Sequence, residues 1–186
     1  RLKIIIPITL LIIAFVLYFT FHSAKEMLIV LSSIPFALIG GVYSMYFFDV
    51  NFSVAVAVGF IALFGIAVET GVLMIVYMNE AIRDSVERKK SSELSNEEIQ
   101  SAVFSGAVMR VRPKLMTVMA DMIGLLPILL ATGVGSDVMK PITIPFVFGL
   151  ITSTLFVLIV LPIVYHMVKE REIRKHGKVD FLELKD

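Results

Sequence analysis

The sequence predicts an all-α membrane protein, with five transmembrane helices and a short cytoplasmic amphipathic helix. Three observations predict it. Hydrophobic residues make up 58% of the 186-residue chain and the mean hydropathy is +0.90, whereas an ordinary globular domain is about 45–50% apolar; a soluble core of this size could not hide the excess. The apolar residues gather into five runs. Each reaches the ~17–20 residues that a helix rising 1.5 Å per residue needs to cross the hydrocarbon. The basic residues fall mostly on one side of those runs.

Taken in order, the first run is 4–21, bounded by Lys3 and the His22–Glu26 stretch. It has no small-residue cleavage site and a second span follows directly, so it is not a signal peptide. The second run is 27–48 and the third is 52–78, with the tight Asp49–Asn51 hairpin between them. The loop 79–114 comes next. Arg83–Glu93 reads as a solvated helix end and linker, and Ser95-Asn-Glu-Glu98 as a capping box opening a helix. Ile99, Val103, Ala107 and Val108 share one face of that helix, with Ser101 and Ser105 off it, so it is expected to lie on the inner membrane surface. Pro113 is expected to restart the chain at the fourth run, 115–132. The Gly-rich turn Gly133–Pro141 leads to the fifth run, 142–168, and the charged tail 169–186 is expected to prolong the last helix before fraying. Prolines 7, 35, 127, 145 and 162 fall inside runs, where membrane helices tolerate them as kinks.

Lys and Arg set the orientation. Arg1, Lys3 and Lys140 lie on one side, and the other fourteen of the 17 basic residues lie on the opposite side, in Lys25, the 79–114 loop and the tail. This asymmetry puts the N-terminus outside and the C-terminus in the cytoplasm. A net charge of +1 gives no electrostatic case for nucleic acid. Without cysteine there is no disulfide, thiolate metal site or thiol nucleophile. No phosphate-binding loop, Ser/His/Asp arrangement or zinc-protease spacing is present, so neither an enzyme nor a cofactor is expected. Residue 1 is Arg rather than Met, which reads as a processed, trimmed or partial chain.

Two acids stand where hydrocarbon is expected. Glu69, in GIAVETGVLMIVY, lies roughly 13 Å from the cytoplasmic end of its span, and Asp121 roughly 9 Å from the same end of the fourth. A carboxylate at mid-span costs about 2.5–3.5 kcal/mol on insertion scales, and such residues are functional by default. Thr117 precedes Asp121 by one turn on the same face, and Arg110 stands at the start of that helix. The functional reading is a proton relay built from these residues. The structural alternative is a protonated acid hydrogen-bonded across helices. Met116, Met119 and Met122 recur every third residue; thioethers bind Cu(I), but this spacing drifts around the helix and methionine is a common gap-filler. His22, His166 and His176 are isolated.

The order GIAVETGVLMIVY, a basic loop, SGAVMRVRPKLMTVMADMIGLLPILLATGVGSDVMKP and GLITSTLFVLIVLPIVY resembles the C-terminal membrane half of resistance-nodulation-division (RND) efflux pumps. The most specific elements are R-x-R-P-x-x-M-T at Arg110–Thr117, G-L-L-P and T-G-x-G-S. An acid at Glu69, rather than the lysine of drug exporters, resembles the heavy-metal branch. The resemblance implies spans eight to twelve of a twelve-span proton/cation antiporter of a bacterial inner membrane. It implies a homotrimer docked to a periplasmic adaptor and an outer-membrane channel. It also implies proton-path roles for Glu69, Thr117 and Arg110, whose partner acids would lie on span four, in the rest of the pump with its spans one to seven and periplasmic domains. Asp121 lies outside the family pattern, and its relay role rests on position. Copper and silver exporters carry methionines early in the last span; here Pro145-Phe-Val-Phe-Gly-Leu150 weakens a copper or silver assignment and leaves cobalt, zinc, cadmium or nickel open. The competing readings are a stand-alone five-span scaffold from a split gene, and an RND-type drug or lipid exporter. A chain lacking seven partner spans is expected to be poorly stable in isolation, with its relay acids facing lipid.

Overall fold

A computed structural model describes residues 2–89 and 96–176. Among these residues the chain is helical throughout, apart from short connections. The helices are α1 (Leu2–Phe21), α2 (Ala24–Leu31), α3 (Ser33–Phe47), α4 (Val54–Lys89), α5 (Asn96–Leu130), α6 (Ser136–Leu155) and α7 (Leu161–His176); a π-helical turn, Phe156–Val160, joins the last two. Four stretches are long and apolar enough to cross a membrane: Ala24–Phe47, Val54–Arg88, Glu97–Leu130 and Ser136–Arg171; Pro7–Phe21 of α1 is a shorter apolar helix.

The connections at one end of the bundle are tight. Asp49 takes positive φ in its turn, and Gly133 (φ 132°) and Gly135 (φ 93°) form the bend before α6, a backbone that a side chain would strain; His22, also at positive φ, lies at the opposite end, between α1 and α2. That bend is shorter than the expected Gly133–Pro141 turn, because α6 already begins at Ser136. We call the end holding Asp49 and Gly133 the turn end, and the end holding Arg83, Glu97 and Lys169 the basic end.

Two buried apolar clusters stack along the bundle. Val56, Phe60, Leu63, Val118 and Leu150 belong to the one nearer the turn end. Val30, Met74, Met78, Ile82, Ile99, Val103, Val157 and Leu161 belong to the one at the basic end. Helices α3 and α6 run antiparallel and almost touch, since a Cβ on Gly40 would lie 2.6 Å from the Phe148 carbonyl oxygen and one on Gly149 would lie 2.9 Å from that of Ala37. Small residues let membrane helices approach this closely.

The stretches Ala24–Phe47 and Ser136–Arg171 are both interrupted, and a proline accounts for each interruption. Pro35 has no N–H for the Leu31 carbonyl, and the helix breaks at Ser32 between α2 and α3. Pro162 likewise leaves the Leu158 carbonyl without its usual donor, and the chain there adopts wider π geometry, with the Leu161 N–H bonded to the Phe156 carbonyl five residues back. Phe36 and Phe156 stack at 3.9 Å, so the two interruptions lie side by side.

Pro113 does not restart the chain. Helix α5 is continuous from Asn96 to Leu130, so the expected surface helix is the first part of the same long helix rather than a separate one. Ile99, Val103 and Ala107 do form one buried face, but that face packs on Met78 and Ile82 of the basic-end cluster rather than on the membrane surface. Val108, expected on it, is exposed. Burial along α4 outweighs the single backbone bond lost at Pro113, and the Thr117 hydroxyl donates to the Pro113 carbonyl at 3.0 Å. Ser95, the expected cap, lies outside the described residues.

At the basic end a polar cluster ties three helices. Glu26 of α2 is 4% exposed. Its Oε1 pairs with Lys169 Nζ of α7 at 2.9 Å, and its Oε2 accepts from Asn79 Nδ2 of α4 at 2.9 Å. The Tyr165 hydroxyl donates to Asn79 Oδ1. Each carboxylate oxygen has a partner, which a buried charge requires.

Candidate functional site

The site forms where α4 and α5 pass each other. Helix α4 carries Glu69 into the span because its neighbours are apolar enough to hold the helix in place: Leu63, Ala67, Met74 and Ile75 are buried on the side facing the core. Antiparallel to it, α5 presents Arg110, Lys114 and Thr117, at i, i+4 and i+7 on one helical face. Glu69, Arg110, Lys114 and Thr117 line one cavity of about 70 Å³, closed on its far side by Val157 and Leu158 of the π turn. A space of that size in polar surroundings admits water.

Glu69 makes no hydrogen bond or ion pair among the described residues, and it faces outward from the bundle. Thr117 is also exposed, and its hydroxyl bonds within its own helix. Arg110 lies over the Tyr77 ring, with the guanidinium carbon 4.2 Å from the centroid, a cation–π contact. Its Nε is buried without a hydrogen-bond partner among the described residues. The site therefore brings together one carboxyl and two cations with spare hydrogen-bonding capacity.

Glu69, Thr117 and Arg110 are brought together as the sequence suggests. Asp121 is not part of the group. It remains on the Thr117 face of α5 but lines a second, larger cavity of about 460 Å³ with Ala62 of α4 and Ile142 and Thr143 of α6. One helical turn is enough to move a side chain past the end of the smaller cavity.

Lys114 is the residue that sequence reasoning missed. It reads as the last cation of the loop, yet it lines the Glu69 cavity and its ammonium lies in the electrostatic field of Glu69, Asp121 and Arg110. The available signal was its helical spacing from Arg110 and Thr117, which emerges once α5 is recognised as continuous through Pro113. The methionines do not converge: Met116 and Met119 are exposed, while Met122 packs against the turn-end cluster. His22 lies exposed in its turn, His166 Nε2 is buried without a partner among the described residues, and the side chain of His176 lies outside the described residues.

Comparison with known proteins finds relatives of this helical bundle. The profile of the AcrB/AcrD/AcrF family matches residues 1–169. The chain is 42% identical to the cation efflux system protein CusA of Escherichia coli (strain K12) over 90% of its own length and 16% of that protein's. It is 41% identical to the nickel-cobalt-cadmium resistance protein NccA of Alcaligenes xylosoxydans xylosoxydans over 92% of its length and 15% of that protein's. A crystal structure of a heavy metal efflux pump superposes with a TM-score of 0.78 at 35% identity, covering 92% of this chain and 16% of the pump. The chain thus spans about a sixth of the length of the relatives it matches.

Proposed function

This chain belongs to the AcrB/AcrD/AcrF family, and on that premise we propose that it is the portion from span eight to span twelve of an inner-membrane transporter that exports heavy-metal cations in exchange for protons. The observation that carries the reading is Glu69, a mid-span carboxyl unengaged among the described residues and sharing a cavity with Lys114, Arg110 and Thr117. When ionised, Glu69 attracts the two cations across the α4–α5 seam, and that attraction is several-fold stronger near the protein interior than in bulk water. Taking up a proton abolishes the attraction and leaves Lys114 and Arg110 repelling each other. The balance of forces between α4 and α5 then changes with each proton, and helix movement is the output. Thr117, with acceptor capacity left after its bond to Pro113, lies on the proton's way. Asp121 belongs to the same path at a different point.

The remainder of the pump supplies spans one to seven, which cover the exposed Glu69 and Thr117, and the periplasmic domains that bind the cation. The assembly is a homotrimer that docks to a periplasmic adaptor and an outer-membrane channel. The basic end is cytoplasmic and the N-terminus periplasmic, as the fourteen-to-three distribution of basic residues supports. The relatives' names, cation efflux and nickel-cobalt-cadmium resistance, support cations as the cargo class over drugs or lipids. In the full-length pump, reconstituted in proteoliposomes with a pH gradient, Glu69→Gln is expected to abolish transport of cobalt, zinc, cadmium and nickel ions while the protein stays inserted and trimeric. Normal transport by that variant removes the relay, and transport of a drug but of none of the four cations removes the cargo class.

A further inference from the structure

Asp121 has a cavity of its own. It is half-buried, makes no hydrogen bond or ion pair among the described residues, and borders about 460 Å³ of space with Ala62, Gly124 and Thr143. Its depth is informative. On α5, Asp121 lies one turn beyond Thr117, roughly 6 Å closer to the turn end; on α4, Ala62 lies seven residues before Glu69, roughly 10 Å in the same direction. The Asp121 cavity therefore lies between the Glu69 cavity and the turn end.

The α4–α5 face between the two is exposed and uncrowded. Ala62, Gly65 and Glu69 share one face of α4, and Thr117, Asp121 and Gly124 share one face of α5, by helical spacing. A Cβ placed on Gly65 or Gly124 would meet nothing within 4 Å, in contrast to the packed Gly40 and Gly149. Among the described residues no other titratable group lines the Asp121 cavity: α4 contributes Ala62, and α6 contributes Ile142, Thr143 and Phe146. Asp137 and Lys140 lie in the first turns of α6, before Ile142. The nearest charges on the other side are Lys114 of its own helix and Glu69 of α4. Lys114 attracts both carboxylates, so a proton bound at one alters the hold on the other.

We propose that Asp121 is a second proton-loading carboxyl, the turn-end station of the path whose inner station is Glu69. A hydronium ion in the wider cavity gives its proton to the Asp121 carboxylate, forming an O–H bond and leaving water. The acid then releases the proton to water in the seam and returns to carboxylate, and the proton reaches the Glu69 carboxylate. This deepens the function proposed above and rests on it.

The test is the full-length pump in proteoliposomes, with the best-carried of the four cations. Transport is measured against the pH of the turn-end side while the other side is held fixed. Asp121→Asn is expected to raise the turn-end proton concentration giving half-maximal transport about tenfold, the equivalent of one pKa unit, and Asp121→Glu is expected to restore it. Gly124→Leu, filling space that no neighbouring atom occupies, is expected to slow transport in the same pH-dependent way. If Gly124→Leu does not insert, the Asp121 pair alone decides. An unchanged turn-end pH profile in Asp121→Asn, with Glu69→Gln inactive, overturns the second station and leaves the Glu69 reading standing. Normal transport by Glu69→Gln removes both.

Discussion

Helix α4 takes part in two polar groups ten residues apart, and they are built in opposite ways. At Asn79 it joins the Glu26–Lys169–Tyr165 cluster, where both oxygens of the Glu26 carboxylate are engaged and the residue is 4% exposed. At Glu69 it offers a carboxylate with no partner among the described residues, beside two cations that are not bonded to it. Saturated networks fix geometry, because each member loses its partners if any helix moves. An unsaturated group inside a membrane lowers stability and persists where it has chemistry to perform. The two carboxyls share a residue type, and their surroundings differ: Glu26 is held by partners on two other helices, while Glu69 has none among the described residues, which is what the proposed proton exchange requires of it.

Substitutions can break that contrast or sharpen it. The largest effect on stability is expected from Glu26→Ala, which removes the ion pair to Lys169 and the acceptor of the Asn79 amide; breaking a buried pair of this kind costs about 3–5 kcal/mol. Thermal unfolding of the detergent-solubilised full-length pump should show a clear drop in Tm, while Glu69→Gln leaves the Tm within error of wild type and removes transport. If Glu26→Ala is as stable as wild type, or Glu69→Gln as unstable as Glu26→Ala, the division between the groups fails. Next comes Gly40→Ala, whose new methyl would meet the Phe148 carbonyl at 2.6 Å; overpacking of this kind costs about 1–3 kcal/mol and is read in the same unfolding measurement. The smallest is Tyr165→Phe. It removes one bond to Asn79 without baring a charge, for about 1 kcal/mol, and a larger loss would mean that the cluster acts more cooperatively than its pairs suggest.

Much of this architecture was legible in the sequence. Apolar run length identified the spans, helical spacing found the Ile99–Val103–Ala107 face, and depth along the spans together with the family resemblance grouped Glu69, Thr117 and Arg110. What periodicity does not carry is the axial register between helices. It therefore placed Asp121 beside Thr117 without showing that the turn between them separates two cavities. Nor could it pair Glu26 with Lys169, since both stand in charged stretches that read as solvated flanks. Pro113 misled for another reason: its local penalty was visible, while the compensating contacts along α4 come from a different part of the chain. Lys114 was lost with it, because a helix broken at Pro113 does not put Lys114 in phase with Arg110.

The π turn at Phe156–Val160 has a consequence for how the last helix counts. Five-back bonding accommodates one residue more than a regular turn, and one residue corresponds to about 100° around a helix axis. Everything after Val160, including Tyr165 and Lys169, is therefore set about a quarter-turn away from where an unbroken helix beginning at Ser136 would aim it. The contact with Glu26 and Asn79 depends on this phase offset. The chain carries one surplus residue near the middle of its last span, and the direction faced by the basic-end half is encoded by residue number as much as by residue type.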